Sequence, residues 1–520
     1  MEFGVRQRLS EARVAIAITV VSLVAHLWQL ALRPLAHDEA IDAWFSWQAG
    51  RGDIMKYDPV YHGPFRFYLE GPVMHLFGGG PGWARLVAAL AGVAATAIIA
   101  CSRQTLGRVG APVAALVFTF SPTVLTVTRT GREDSLTALV SLGLLLVVGH
   151  ALTKPRPAHI VAGGALLALS WTIKETTFLF GFVAAWFFLI GALVAWRAPG
   201  GKCHAAMQRI AAMGRQPWMW AVTAFLLVFM VVFTSGFRYP GGLQSGFTDG
   251  IQYWWSQHDV RRGGQPWFFY LTIYGAYEWL LVGLATVGLV VVVRRRSLFG
   301  AWLITMWLGQ IVVYAWAGEK FAWLALHPLV PAVLLAGIGA QAIFDRLPAA
   351  RRVLAVAFVG ALVCTAAIAV RPAITDGADP RELLVTVQTS TDVPPIADRL
   401  LEGQRNGTIT NILVDQRGGG SWPWAWYLSE ANGFSDVAFV DVVDGQFPEG
   451  YDALIIDGAA GPPVVPAGFT VEEFSLRRWW VPDYDNVTVG DLVTWFFTRE
   501  TWNETGSYPQ YLVLREGAEG

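Results

Sequence analysis

The sequence predicts a mainly α-helical, polytopic membrane protein with a C-terminal soluble α/β domain. Of its 520 residues, 54% are hydrophobic and 15% are charged, and the mean hydropathy is +0.44. Soluble globular proteins carry about 25% charged residues. The apolar residues are concentrated in long runs within residues 1–371, whereas residues 372–520 have the composition of an ordinary soluble domain. We therefore expect a transmembrane domain over 1–371 and a soluble α/β domain over 372–520.

Apolar runs define the expected transmembrane helices, because a spanning helix needs roughly 20 apolar residues. Eleven runs approach that length, at residues 14–32, 82–101, 111–128, 135–152, 159–175, 177–196, 218–236, 271–293, 298–317, 322–344 and 353–370. The first run is too long for the apolar region of a signal peptide. We therefore expect it to remain as the first of about 11 transmembrane helices.

The loops between these runs predict the orientation, because cytoplasmic loops collect Lys and Arg. With the N-terminus in the cytoplasm, the inner segments hold 17 basic residues and three acidic ones. The loop after the first run and everything after Arg371 are then extracytoplasmic. We expect a multi-pass protein of the cell membrane with an exported C-terminal domain.

The exported domain shows strand patterns at 383–389, 410–414, 437–442 and 453–456, and helix patterns at 395–402 and 424–430. This alternation is typical of a small α/β domain. The three cysteines, Cys101, Cys203 and Cys364, lie outside it, which excludes a disulfide framework there. The net charge of −1 argues against a nucleic-acid partner.

Charged residues gather in the loop between the first two runs, although the chain is otherwise apolar. His37, Asp38 and Glu39 open this loop, and the segment from Tyr57 to His62 contains Asp58. Such a group of charges between two spans is unlike packing residues. We interpret it as a reaction site at the membrane surface.

Other predicted outer turns carry acidic and basic residues together. Arg129 and Asp134 flank one turn, where Asp134 is either the N-cap of a solvated hairpin or faces the same outer cavity as Asp38. Lys174 and Glu175 interrupt an apolar stretch, and an ionisable group at membrane depth is by default a functional hypothesis. They form either an ion pair at a turn or a site in which Lys174 contacts a phosphate.

Two further outer segments complete the pattern. The 237–266 loop is aromatic and contains Arg261 and Arg262, so it is either a membrane-interface belt or a sugar-stacking and phosphate-binding segment. Glu319 and Lys320 precede His327, which lies inside the next run. Outer turns that repeatedly combine acid and base predict one shared polar cavity.

A cavity of this kind suits a substrate that carries a phosphate and an attacking hydroxyl. Arg and Lys bind phosphate, and a carboxylate held near a hydroxyl acts as a general base. Extracytoplasmic spaces lack nucleotide sugars, so the expected donor is a sugar on a polyprenyl phosphate. The acceptor is a lipid, a glycan or a protein.

The acidic pair Asp38-Glu39 after the first span resembles that of membrane glycosyltransferases of the GT-C fold. The chain looks most like glycosyltransferase family 39, which includes protein O-mannosyltransferases and the aminoarabinose transferases of lipid A. Within this resemblance it is closest to a flippase-activity-associated group linked to N-glycosylation, through the first loop and the stretch from Gly318 to Leu324. The resemblance covers about residues 10–370.

The resemblance implies roles for individual residues. Asp38 would be the base or would position the acceptor, with Glu39 supporting it, and Asp134 would shape the acceptor side. Lys174, Arg129 and Lys320 would hold the donor phosphate. The other candidate substrate-binding residues are His37, Tyr57, Asp58, His62, Glu175, Arg261, Arg262, Glu319 and His327.

The chain departs from the family pattern in two places. A His-Gly-Pro sequence replaces the His-Pro-Pro of many relatives, and the C-terminal domain differs from that of protein O-mannosyltransferases. The first outer loop has no Asp-x-Asp motif, which predicts catalysis without a metal or other cofactor, although His37 and His62 keep a divalent metal as an alternative.

The resulting hypothesis is a membrane glycosyltransferase that moves a hexosyl or pentosyl group outside the cytoplasm. A flippase or carrier component that binds the same lipid without making a bond is the alternative. A third interpretation is a scaffold whose exported domain binds other glycosylation proteins.

Overall fold

The structure is a computed structural model that describes residues 2–257, 260–443 and 447–518, with side chains from residue 9 onward. It divides into two compact units. Unit 1 comprises Met1–Trp28, Ile54–Tyr68 and Val87–Ala373, and unit 2 comprises Gln29–Asp53, Leu69–Leu86 and Ile374–Gly520. The predicted division after residue 371 lies near the last of these boundaries, but unit 2 also takes in two segments from the first third of the chain.

The α-helices, in chain order, are α1 Glu2–Leu27, α2 His37–Gly50, α3 Phe65–Phe77, α4 Pro81–Cys101, α5 Arg103–Leu106, α6 Gly110–Phe120, α7 Pro122–Thr128, α8 Asp134–Thr153, α9 Pro157–Ile173, α10 Thr177–Arg197, α11 Lys202–Ala211, α12 Gln216–Phe233, α13 Gly242–Gln244, α14 Gly250–Gln257, α15 Phe269–Tyr277, α16 Trp279–Arg294, α17 Leu298–Trp316, α18 Leu326–Arg346, α19 Arg351–Val370, α20 Val393–Asn406, α21 Trp424–Tyr427 and α22 Val489–Thr498. Short 3-10 or π turns lie at Ser245–Asp249, Ala322–Ala325, Pro348–Ala350, Arg371–Thr375, Arg417–Gly419 and Glu430–Asn432.

The chain is a multi-pass membrane protein. Within the described residues, eight helices are long and apolar enough to cross a bilayer, or up to ten if two bent pairs each count as one span. The bent pairs are α6 with α7, at 61°, and α15 with α16, at 104°. Helix α9 is apolar but has only 17 residues. Each of the eleven predicted runs therefore falls on an apolar helix or a bent pair, although length and composition alone support a smaller number of spans.

Helix α18 forms the centre of unit 1, since 16 of its 21 residues are buried. It packs against α6, α8, α16 and α17. Glycines allow the closest approach: a Cβ added to Gly288 of α16 would lie 1.9 Å from the carbonyl oxygen of Leu335 of α18. Small residues play this part at many helix interfaces in membranes, where they bring two backbones together. By contrast, α10 and α19 leave most of their apolar side chains exposed, as a lipid-facing helix does.

Unit 2 contains a mixed sheet of six strands: β1 Gln388–Thr389, β2 Ile412–Asp415, β3 Val437–Val440, β4 Ala453–Asp457, β5 Phe469–Trp479 and β6 Gly506–Arg515. Their order is β1-β5-β6-β4-β2-β3. Strand β2 runs parallel to β3 and β4, and the remaining pairs are antiparallel. Helix α20 buries Ile396 and Leu400 in the core beneath the sheet.

The α/β prediction for this domain is confirmed, with differences in detail. Strands β2, β3 and β4 and helix α20 lie where the sequence pattern predicts them. The predicted strand at 383–389 is reduced to the two residues of β1, and the helix at 424–430 ends at Tyr427. The pattern did not reveal β5, β6 or α22. Strand β5 has a mostly exposed first half, so its side chains do not alternate clearly between apolar and polar.

The contact at Gly288 predicts a specific sensitivity in the helical unit. The Gly288→Ala variant should destabilise the protein by about 1–3 kcal/mol, because the added methyl group overpacks the α16–α18 interface. Gly283→Ala is the matched control, since it lies on the same helix with no atom within 4 Å of its added Cβ. Thermal unfolding of the full chain in detergent would measure both, and equal midpoints would contradict the proposed close approach.

Candidate functional site

A buried group of ionisable side chains occupies one region of unit 1, and we call it the ionic cluster. Its members come from the segment before α3 and the start of α3, the turn between α7 and α8 with the first residue of α8, the turn after α9 and the start of α18. All are buried except His62, which is nearly so. The ionic cluster consists of Tyr57, His62, Arg66, Arg132, Glu133, Asp134, Lys174, Glu175 and His327.

Glu133 accepts hydrogen bonds from three cations. Arg66 donates to Oε2 at 2.8 Å, while Lys174 and Arg132 donate to Oε1 at 2.5 and 3.3 Å. His62 Nε2 lies 3.4 Å from the same Oε1. Burial raises the pKa of Glu133, but the surrounding cations outweigh burial and hold that pKa well below its usual range. Glu133 is therefore a fully ionised carboxylate.

Asp134 shares Lys174 with Glu133. The Lys174 ammonium donates to Asp134 Oδ1 at 2.7 Å, and His327 Nε2 lies 2.9 Å from the same oxygen. Burial lowers the pKa of Lys174, but Asp134 and Glu133 outweigh it and raise that pKa above its ordinary value. The lysine thus joins two neighbouring carboxylates that would otherwise repel each other.

His62 lies between Glu133 and Glu175 in the ionic cluster. Its Nδ1 lies 2.7 Å from Glu175 Oε2, and the hydroxyl of Tyr57 donates to Glu175 Oε1 at 2.6 Å. Burial lowers the pKa of His62, but the charges of Glu133 and Glu175 outweigh burial and raise it. A carboxylate thus lies near each ring nitrogen, and both carboxylates favour the protonated imidazole over the neutral one.

The backbone at His62 and Gly63 explains the local sequence. His62 has a positive φ of 64°, a conformation that costs energy for a residue with a side chain. The next residue must be glycine, because a Cβ on Gly63 would lie 2.1 Å from the carbonyl oxygen of Thr172. The Gly63 N–H also donates to the carbonyl of Ile173 at 3.1 Å. The His-Gly-Pro sequence therefore places His62 against the end of α9, next to Glu175.

Aromatic rings cover parts of the ionic cluster. The ring of Trp254 stacks on His62 with centroids 5.2 Å apart and planes 3° apart. The guanidinium of Arg132 lies 4.4 Å from the ring centroid of Trp323. Such contacts exclude water, which strengthens the electrostatic interactions inside.

Glu319 and Lys320 lie near these charges in the segment before α18. Burial raises the pKa of Glu319 although His62, Lys174 and Arg262 oppose the shift, and its Oε2 is buried with no hydrogen-bond partner among the described residues. Lys320 is buried and donates to the carbonyl of Ala317 at 2.5 Å. Burial, together with the charge of Arg261, lowers the pKa of Lys320.

The structure places the remaining unit 1 candidates as follows. Arg261 and Arg262 are exposed, and the carbonyl of Arg262 accepts a hydrogen bond from the Lys320 N–H at 3.1 Å. Residues 258–259 of the same loop lie outside the described residues. Asp58 is exposed and accepts from the N–H of Val60 at 2.9 Å.

Arg129 has a different environment from the one that the sequence predicts. Its guanidinium donates to the backbone carbonyls of Ala25, His26 and Ala373, at 3.0, 2.8 and 3.1 Å. This arrangement joins the end of α7 to the end of α1 and to the segment after α19. These contacts favour a structural role for Arg129.

The predicted catalytic acids lie in unit 2, in the first turn of α2. Arg85 donates to both carboxylate oxygens of Glu39, at 2.8 and 3.0 Å, and Arg33 donates to Oε1 at 3.3 Å. The N–H of Ala36 also donates to Glu39 at 2.9 Å. Burial raises the pKa of Glu39, but Arg85 and Arg33 outweigh burial and hold it well below its usual range. Glu39 therefore fixes the start of α2.

Asp38 and His37 are half-buried beside it. Asp38 acts electrostatically on Arg477 of β5: burial lowers the pKa of that guanidinium, and the charges of Tyr508 and Asp38 oppose the shift. Asp38 is less enclosed than Glu39, which is buried.

Sequence reasoning missed Arg66, Arg132 and Glu133 as members of the site. Arg132 and Glu133 directly precede Asp134, and this run of three charged residues was the available signal. Nothing in the sequence pairs Arg66 with a residue 67 positions later.

Within residues 2–257, 260–443 and 447–518, no group of three or more His, Cys, Asp or Glu is arranged to hold a metal ion. Independence from metal and cofactor stays a prediction.

Comparisons with known proteins identify the fold. The sequence model of a family described as dolichyl-phosphate-mannose-protein mannosyltransferase matches residues 61–234. No curated protein matches the chain by sequence. The structure of ArnT from Cupriavidus metallidurans bound to undecaprenyl phosphate is 16% identical, covering 97% of this chain and 98% of that chain with a TM-score of 0.57. The apo form of that ArnT gives 15% identity, 99% of both chains and a TM-score of 0.54.

A third structure is the apo oligosaccharyltransferase of Archaeoglobus fulgidus, which is 12% identical with a TM-score of 0.53. The similarity covers 82% of this chain and 64% of that one. The chain therefore has the GT-C fold of membrane glycosyltransferases, which the resemblance implied. The resemblance to the flippase-activity-associated group stays a prediction.

The raised pKa of His62 predicts a pH-dependent stability. The stabilisation from the His62 cation is fully present below its ordinary pKa of 6.5 and is lost as pH rises through the higher pKa of the folded protein. The full chain in detergent should therefore unfold at a lower temperature as pH rises above neutrality, and His62→Gln should remove that slope. His75→Gln, which changes an exposed histidine, is the control. An unchanged pH profile in His62→Gln would contradict the charged-imidazole assignment.

Proposed function

We propose that the protein is a membrane glycosyltransferase that moves a sugar from a polyprenyl-phosphate donor to an acceptor hydroxyl on the extracytoplasmic side. The observation that carries this proposal is the position of the ionic cluster. Its members from His62 to Glu175 lie within the segment that matches the mannosyltransferase family model, 61–234. Burying so many charges in a membrane protein is costly, and ionisable groups in such surroundings are by default candidates for function.

The fold supports the choice of donor. A structure with this fold, ArnT from Cupriavidus metallidurans, binds undecaprenyl phosphate. A polyprenyl chain is apolar and its phosphate is anionic, so such a lipid needs both a membrane-facing surface and a cationic site. This chain has exposed apolar helices and buried cations in the same unit.

The charge balance of the ionic cluster supports phosphate binding. Glu133 and Asp134 pair with the permanent cations Arg66, Arg132 and Lys174. Glu175 pairs with His62, whose pKa is raised by the charges of Glu133 and Glu175. Protonation of His62 shifts the balance of the ionic cluster towards positive charge, which favours a bound anion.

Lys320 and Glu319 are the residues best suited to contact the phosphate directly. Lys320 is a buried ammonium whose described hydrogen bond goes to one backbone carbonyl, so it has donors left for an anion. Oε2 of Glu319 is buried with no hydrogen-bond partner among the described residues, and burial raises the pKa of this carboxyl, which favours the protonated form that can donate to a phosphate oxygen. Lys174 already binds two carboxylates and would position them.

The proposed reaction is a direct displacement with inversion. The acceptor oxygen forms a bond to the anomeric carbon of the sugar, and the bond from that carbon to the phosphate oxygen breaks. The acceptor proton passes to the Asp38 carboxylate, and the electron pair of the broken bond stays on the leaving polyprenyl phosphate. Glu39, bound by Arg85 and Arg33, would hold Asp38 at the start of α2.

Replacement of Asp38 tests the catalytic assignment. We expect purified Asp38→Asn to bind polyprenyl-phosphate sugars as the wild type does but to release sugar about 100 to 10,000 times more slowly, the usual contribution of a general base. Asp398→Asn, an exposed acid of the same unit, is the control. Equal turnover by Asp38→Asn and the wild type would overturn the role of Asp38. Binding without turnover by either would favour a lipid carrier.

Replacement of Lys320 tests the donor site separately. We expect Lys320→Met to weaken binding of a polyprenyl phosphate to the full chain by about tenfold or more, as loss of a charge-assisted hydrogen bond does. Lys154→Met removes an exposed lysine at the end of α8 and should leave the affinity unchanged. Equal affinities for the two variants would contradict a phosphate contact at Lys320.

A further inference from the structure

A cavity lies in unit 1, where the ends of α10 and α16 meet the beginnings of α11 and α17. It has a volume of about 500 Å³, within the range of small-molecule sites. Its lining includes Val194, Lys202, Val293, Arg296 and Ala301.

This cavity is separate from the ionic cluster. Helix α10 begins at Thr177, two residues after Glu175, and ends at Arg197 next to the cavity. A helix of 21 residues is about 30 Å long. The cavity therefore lies at the opposite ends of the spans from the ionic cluster, and nothing in the proposed sugar transfer uses it.

The charged lining of the cavity has one sign. Lys202 and Arg296 are its charged residues, and none of the described lining residues is acidic. The Lys202 ammonium donates to the carbonyl of Arg296 at 2.9 Å and lies 3.4 Å from that of Arg295, which holds it at the rim. The neighbouring Arg294 and Arg295 add further exposed positive charge.

The rest of the lining is apolar and continues onto lipid-facing helix surfaces. Val194 is 47% exposed and Val293 is 58% exposed, and both belong to apolar helices of spanning length or to a bent pair. A ligand that fits must therefore combine an anionic group with an apolar chain. Inorganic phosphate alone would not contact the apolar surface, and a neutral lipid would not neutralise the cations.

We propose that this cavity binds the headgroup and upper acyl chain of an anionic phospholipid. Basic pockets between transmembrane helices are suited to such headgroups, and the loops concerned are those that the Lys and Arg distribution predicts to be cytoplasmic. The lipid would fill the space between α10 and α16–α17 and neutralise Lys202 and Arg296. This proposal does not depend on the transferase activity.

Native mass spectrometry of the full chain in detergent tests the site, with phosphatidylglycerol as the probe and phosphatidylcholine as its neutral counterpart. The wild type should retain phosphatidylglycerol at least tenfold more tightly than phosphatidylcholine. Lys202→Ala combined with Arg296→Gln should weaken the tightest phosphatidylglycerol binding by about 10- to 30-fold, the effect of losing two basic residues. Arg352→Gln changes an exposed arginine elsewhere and should have no effect.

A second variant tests the shape of the cavity without altering charge. Ala301 is exposed into the cavity, so Ala301→Trp should fill the space without disturbing the helix core and should also weaken lipid binding. Full-strength lipid binding by both variants would overturn the proposal. Competition by inorganic phosphate at millimolar concentration, with Ala301→Trp unaffected, would identify a phosphate site instead of a lipid site.

Discussion

The helical unit depends on the compensation of two adjacent buried carboxylates. Glu133 and Asp134 are nearly inaccessible to solvent, and an isolated charge in such surroundings costs several kcal/mol. Arg66, Lys174 and His327 must therefore meet them, and these three come from distant parts of the chain. These contacts thus fix the start of α3, the turn after α9 and the start of α18 against the start of α8.

Hydrophobicity and electrostatics determine different features of the helical unit. Apolar length alone determines where the spans lie, and small residues determine how closely they pack, as at Gly288 against Leu335. Neither property distinguishes one arrangement of hydrophobic helices from another, since lipid is as apolar as a leucine side chain. The charged contacts of the ionic cluster have defined partners and directions, so they supply the specificity that apolar packing lacks.

This division explains what the sequence could reveal. The apolar runs and the parallel strands β2 and β4 follow from local patterns, and so they could be predicted. The turns carrying Lys174 and Glu175 were recognised because charges are conspicuous in apolar surroundings. The partners of those charges were not, because Arg66 and Glu133 are joined only by the tertiary fold. Strands β5 and β6 pair with each other over much of their length, and their partly exposed sides hide the expected alternation.

The cations near the two ends of α10 are compensated in different ways. Near Thr177, each cation of the ionic cluster contacts a carboxylate of the same protein. Near Arg197, Lys202 and Arg296 line a cavity with no acid among its described residues. The charges of the ionic cluster compensate one another within the protein, so the cluster can hold a reacting group in position. The cations at the cavity need an anion from outside the protein. Membrane lipids supply such anions at high local concentration, so the proposed phospholipid would take the place of an acidic side chain at this cavity.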